Sequence, residues 1–92
     1  MSSAIVMDVP ADRGPYGEQA YRLAVGRRIQ QERFRVNIRQ EELATRAQVS
    51  RNFVSSIERG QHGLDAWRLR KIAVALGHDI NWLLEGPVAP GR

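Results

Sequence analysis

Ninety-two residues, 42% hydrophobic and 26% charged, make one domain, and a chain this short needs a compact, nearly all-helical core to fold without a partner. The lack of cysteine excludes a disulfide framework and a thiolate metal site, no apolar run approaches the roughly 18 residues of a membrane span, and no basic start followed by an apolar stretch marks a secretion signal. The net charge of +4 is uneven: residues 1–20 carry −2, which leaves +6 on residues 21–92, and almost every cation is arginine, the side chain best suited to phosphate and guanine.

Residues 1–17 contain Pro10, Gly14, Pro15 and Gly17 and read as an arm outside the folded domain. Arg13 is the arm's one cation, which gives it little with which to grip a DNA minor groove. Residues 18–36 read as the first helix, with Val25, Ile29 and Val36 at helical spacing and Asn37 as a left-handed end. Arg33 falls on the same stripe, so a charge is aimed at the core and has to be paired.

The second helix, residues 40–47, turns Leu43, Ala44 and Ala47 to one side. Glu41 and Glu42 in its first turn suit the helix dipole and do not read as a catalytic acid pair. Val49 fills the turn, Ser50 caps the third helix (50–59), and Gly60 stops it. With Val54 and Ile57 facing inward, Arg51, Asn52, Ser55 and Ser56 point out. A polar face that begins at a capped N-terminus is the geometry of a helix that enters the DNA major groove.

Residues 61–64 form a loop. Asp65 then caps a fourth helix to about Leu76, striped with Leu69, Ile72, Ala73 and Leu76, with Arg68, Arg70 and Lys71 off the stripe. Gly77 ends it, and Asp79 caps a fifth helix, Ile80 to Glu85, before Gly86 and a tail at 87–92. With no strand pattern and no repeat, the reading is an all-α chain: an arm (1–17), a five-helix domain (18–86) and a tail (87–92).

Residues 23–86 resemble the helix-turn-helix domain of the phage-repressor and Cro-like family, often called the Xre family. The resemblance is carried by Gln40-Glu41-Glu42-Leu43-Ala44, Val49-Ser50-Arg51, Ser56-Ile57-Glu58-Arg59-Gly60, Ile72-Ala73-Val74-Ala75-Leu76-Gly77 and Ile80-Asn81-Trp82-Leu83-Leu84. It implies a compact bundle of five helices of the lambda-repressor-like kind, bound as a two-fold dimer to a palindromic operator. Gln40 and the start of the second helix would hold a phosphate, with Arg39 beside the same strand. Arg51, Asn52 and Ser56 would face base edges, with Ser55 close by. The resemblance also pairs Arg33 with Glu58. Two positions depart from the pattern: Gln48 stands where glycine is common, and Arg39 where a small capping residue is usual.

The expected function is a cytoplasmic, sequence-specific regulator of transcription that binds double-stranded DNA, a repressor or controller protein without cofactor or metal. Arg59 and His62 add phosphate contacts. Since one helix reads few base pairs, a homodimer is expected, with Ile80 and Leu83, then Leu64 and Trp67, as candidates for its interface and Trp82 assigned to the core. Two alternatives compete. An enzyme is disfavoured because His62 and His78 have no partner at metal-ligand spacing and no phosphate-cradling or nucleophile motif occurs. A protein-interaction module or antitoxin that retains the fold is disfavoured because the outward face of the third helix lacks apolar anchors.

Overall fold

A computed structural model of the chain describes residues 17–86; the arm and tail expected from the sequence lie outside the described residues except for Gly17. Five helices follow in order: α1 (Glu18–Arg35), α2 (Gln40–Ala47), α3 (Arg51–Glu58), α4 (Ala66–Ala75) and α5 (Ile80–Glu85), with no strand among the described residues. Three of the starts are side-chain capped. The Ser50 hydroxyl accepts from Phe53 N–H at 3.0 Å, Asp65 from Arg68 N–H at 3.1 Å, and Asp79 from Trp82 N–H at 2.9 Å. Each supplies one acceptor to a helix end that otherwise has none, a contribution of about 1 kcal/mol. Arg39 heads α2 in an extended conformation with no side-chain cap.

The core is one cluster in which Val25, Ile29, Leu43, Val54, Ile57, Leu69, Ile72 and Leu83 are sealed from solvent. Through it α1 packs on α3 and α5, α2 on α3 and α4, and α4 on α5. The stripe of α1 stops earlier than the spacing suggests. Val36 is the C-cap and stands 36% exposed, while Ile38, beyond the turn, is buried in its place. The reason is the turn itself: Asn37 is left-handed (φ 60), and Ile38 N–H donates back to Arg33 O at 3.0 Å, which folds the chain under the helix end. Gln48 takes the left-handed conformation its position demands (φ 58), and Val49 N–H reaches Ala44 O at 3.0 Å to close the turn between α2 and α3. A side chain there costs roughly a kilocalorie or two relative to glycine. Lys71 of α4 holds the Gln48 carbonyl at 3.2 Å.

Polar ties add to the packing of α1. Arg28 Nη1 donates to the carbonyls of Leu83 (2.8 Å) and Leu84 (3.0 Å), which satisfies two acceptors at the end of α5. A second tie joins the far end of α1 to the α4–α5 turn. Glu32, only 7% exposed, accepts from Arg35 at 2.6 Å and from His78 Nε2 at 2.9 Å. A carboxylate oxygen only accepts, so His78 donates from Nε2; its ring stacks on Trp82, centroids 3.7 Å apart.

The hydrogen bond from Arg35 is the largest influence on Glu32; against the opposing effect of burial it helps bring the pKa from 4.5 down to about 2. A depressed carboxylate stabilises the fold while it is ionised. That contribution is complete above the ordinary pKa and is lost as pH falls from about 4.5 toward about 2. Glu32→Gln is therefore expected to weaken the fold at pH 7 and to flatten the acid limb of a stability-versus-pH curve measured by urea unfolding. An unchanged acid limb would remove Glu32 as its source.

Candidate nucleic-acid interface

The outward side of α3 begins where its capped N-terminus leaves the turn. Arg51 and Asn52 are exposed there, Ser55 and Ser56 are half-buried one turn on, and Phe53, Val54 and Ile57 fill the interior. Among the described residues neither Arg51 nor Asn52 is engaged by an ion pair of the chain, so both side chains are free to meet a ligand. Ser55 differs: its hydroxyl accepts from Arg59 Nη1, and Arg59 also holds Gln61 at 3.0 Å. Ser55 therefore sits beneath the arginine at the helix end.

What aims α3 is its inner edge. Arg33 Nε donates to Glu58 Oε2 at 2.8 Å and Arg33 Nη2 to Glu58 Oε1 at 3.0 Å, a two-pronged pair with side chains 9% and 2% exposed. The third prong, Nη1, reaches the Ile38 carbonyl at 3.1 Å. Each of the three guanidinium nitrogens thus donates one hydrogen bond, and the charge brought to the core by α1 is matched there. Glu58 Oε1 also accepts from Gln40 Nε2 at 3.0 Å. One carboxylate consequently joins the first residue of α2 to the last of α3, and the Gln40 side chain is held while its second amide hydrogen stays available. Arg39, next to it, is exposed.

Two backbone features let α3 come this close to α1. Gly26 lies where a Cβ would stand 2.7 Å from the Glu58 carbonyl oxygen and closer still to that of Ile57. Gly60, at φ 69, turns the chain away directly after α3 against Leu23. The loop that follows carries His62, whose ring meets Phe53 edge-on, centroids 4.9 Å apart. His62 Nδ1 lies 2.8 Å from the Gly63 carbonyl oxygen. A carbonyl cannot donate, so Nδ1 holds the proton, and a neutral His62 presents an acceptor at Nε2. Only the protonated ring could donate to a phosphate from that atom.

Ser50, Asn52, Phe53, Ser56, His62 and Arg68 line a shallow hollow of about 220 Å³ beside the outward face of α3. Arg68 enters it from the first turn of α4 with its guanidinium 4.1 Å above the Phe53 ring and Nε donating to Asp65 at 2.9 Å. The backbone N–H of Arg68, and then its guanidinium, hold the Asp65 carboxyl below its ordinary range.

The dimer candidates separate. Trp67 is 64% exposed, with Lys71 over its ring, and Ile80 and Leu64 are half-buried against the core. Leu83 is a correction: it is 0% exposed in the interior between α5 and its neighbours and offers no surface to a second copy. Val74, 56% exposed two turns after Trp67 on α4, was not marked by the sequence reading because the core stripe of that helix runs along its other side. Among the described residues no group of histidine and carboxylate side chains is placed to hold a metal, and no helix is long and apolar enough to cross a membrane.

The comparisons agree with this geometry. A helix-turn-helix domain family matches residues 24–81. The structure is similar to that of the clp gene regulator ClgR from Corynebacterium glutamicum, at 27% identity and a TM-score of 0.66 over 72% of this chain and 70% of that one. It is also similar to the hypothetical transcription factor NHTF from Neisseria, at 30% identity and a TM-score of 0.68 over 79% and 80%. No curated protein matches the chain. With the family match spanning more than half of the residues and the two helices of its motif clamped by Glu58, the chain belongs to the helix-turn-helix family of DNA-binding domains.

Proposed function

We propose that the protein is a sequence-specific regulator of transcription that acts in the cytoplasm as a homodimer on a palindromic operator, with α3 in the major groove of each half-site. The observation that carries this reading is the combination on α3: Arg51 and Asn52 exposed at the leading end, and Arg33–Glu58 locking the trailing end to α1. Arg51 has the fork that matches guanine O6 and N7, and Asn52 the amide that matches adenine N6 and N7. Arg39 and Gln40 take a phosphate on one side and Arg59 on the other, contacts that set register and carry no sequence information. His62 joins them when its ring is protonated.

The dimer is needed because one α3 spans only a few base pairs. Two copies would read half-sites about 34 Å apart, one turn of DNA. The exposed Trp67, with Ile80 and Leu64 beside the core, supplies the apolar area for that contact. The regulator would act as a repressor or controller, since a bound dimer occludes the DNA it covers.

Selection from a random DNA pool gives the operator, and Arg51→Ala then tests the reading. Arg51 is exposed, so the melting temperature is expected to stay within about 2–4 °C, as surface substitutions do. Affinity for the selected operator should fall by roughly 5- to 150-fold, the equivalent of about 1–3 kcal/mol, with much less change on unrelated DNA. Full operator affinity in a folded Arg51→Ala variant would refute the assignment of α3 as the reading helix.

A further inference from the structure

We propose that Arg68, on α4, is a DNA-backbone contact of this protein, its guanidinium being held over Phe53 so that it takes one phosphate oxygen beside the reading helix. The inference rests on the DNA-binding reading above and adds an element, the first turn of α4, that neither the motif nor the sequence pattern singles out.

Three observations converge on it. The first is position: Arg68 shares one hollow with Asn52 and Ser56, two of the residues that face outward from α3, and with Ser50 at its cap. The second is how the side chain is held. Most arginines with a partner here use a terminal nitrogen: Arg22, Arg28, Arg35, Arg46 and Arg59 each donate through Nη1 or Nη2. Among the described residues, Arg68 donates from its side chain through Nε alone, to Asp65, and keeps both terminal nitrogens for a ligand. The third is what stops it moving. The Phe53 ring lies 4.1 Å below, and Phe53 is itself 3% exposed, so the guanidinium plane rests on a fixed surface.

A guanidinium tethered at one nitrogen and seated on an aromatic ring loses little conformational freedom when it binds. The same restraint would be wasted on a solvent-facing charge. The side chain is 37% exposed, enough for its tips to reach out of the hollow. His62, which also meets Phe53, presents an acceptor at Nε2 when its ring is neutral, so among the described residues that line the hollow the one permanently charged donor is Arg68. Asp65 stands behind Nε and would reduce the attraction of the hollow for a free anion; it does not occupy the terminal nitrogens. A phosphate brought in by a docked duplex needs no such attraction, because the contacts of α2 and α3 have already delivered it.

The test is the salt dependence of binding to the selected operator, measured for the wild type, Arg68→Gln and Arg68→Lys. Losing one phosphate contact makes the slope of log K against log salt shallower by about 0.9. Arg68→Gln is expected to show that change and a several-fold weaker affinity that is similar for operator and unrelated DNA. Arg68→Lys, which keeps the charge, should restore most of the slope. Arg68 also pairs with Asp65 and covers Phe53, so Arg68→Gln will lower the melting temperature; a merely structural role lowers it without moving the slope. An unchanged slope in a folded Arg68→Gln variant overturns the proposal, as does a loss confined to one base pair of the operator, which would make Arg68 a base reader. If the wild type binds no DNA with a salt-dependent affinity, it is the DNA-binding reading that fails.

Discussion

Glu58→Gln is expected to lower the melting temperature by about 12–24 °C. The substitution keeps the shape of the side chain and removes its charge, which leaves the Arg33 guanidinium at 9% exposure with no counter-ion. Stranding one member of a buried pair costs about 3–5 kcal/mol. The lower end applies here, because a glutamine oxygen can still accept from one of the two arginine nitrogens. In a domain of this size about 3 kcal/mol corresponds to that shift in a thermal melt, and it is a large part of the total stability of a small fold. Operator binding should fall as well, since the single oxygen of the glutamine cannot serve both Arg33 and Gln40 as the carboxylate does. A melt unchanged to within a degree or two would mean that the pair contributes nothing to the fold, and the account of how α3 is aimed would have to be abandoned.

Gly26→Ala should be as damaging, although it adds a single methyl group to a helix and alanine favours helix by about 1 kcal/mol. The new Cβ would meet the carbonyl oxygens of Ile57 and Glu58 well inside contact distance. Both obstacles are backbone, so no rotamer change relieves them, and α1 and α3 would have to move apart by about 1 Å to reach an ordinary carbon–oxygen separation of about 3.3 Å. Overpacking in a well-filled core costs about 1–3 kcal/mol and occasionally more, and here the helices that separate are the two bridged by Arg33 and Glu58. Urea unfolding should show a net loss of about 3 kcal/mol, and the residual folded protein should bind operator more weakly because α3 has shifted. A variant as stable as the wild type would show slack between these helices that the geometry does not contain.

Much of this architecture can be read from local signals. Ser50, Asp65 and Asp79 mark three helix starts because a cap is a contact over three residues. Gly60 and Gly77 mark two ends for the same kind of reason, a backbone conformation set within one turn. Helix periodicity also finds most of the core, from Val25 and Ile29 to Leu69 and Ile72. Periodicity fails where the chain leaves the helix. It extends the α1 stripe to Val36, but Asn37 has already turned the backbone and Ile38 takes the buried place. It also cannot tell a side chain that faces the core from one that faces a partner on a helix as short as α5, which is how Leu83 came to be expected at an interface.

The remaining features join residues distant in the chain. Nothing near Glu32 announces His78, 46 residues on, and nothing near Arg28 announces the carbonyls of Leu83 and Leu84. Gly26 looks like a weak point in a helix until the neighbour that requires it is placed. The hollow beside α3 depends on His62 and Arg68 both meeting the ring of Phe53, a residue that the inward spacing of Val54 and Ile57 does not include. At the proposed DNA-facing surface the outward residues of α3 follow from spacing, whereas the orientation of Gln40 depends on a carboxylate 18 residues away.

The longest helix grips two others at once. Through Gly26 and Arg33 it holds α3, and through Arg28 it holds the end of α5. Release of α3 has to break the buried Arg33–Glu58 pair, and loss of α1 itself would free α3 and α5 together. The face proposed to meet bases is therefore expected to exchange its amides about as slowly as α1 itself, and its shape would outlast the opening of looser segments.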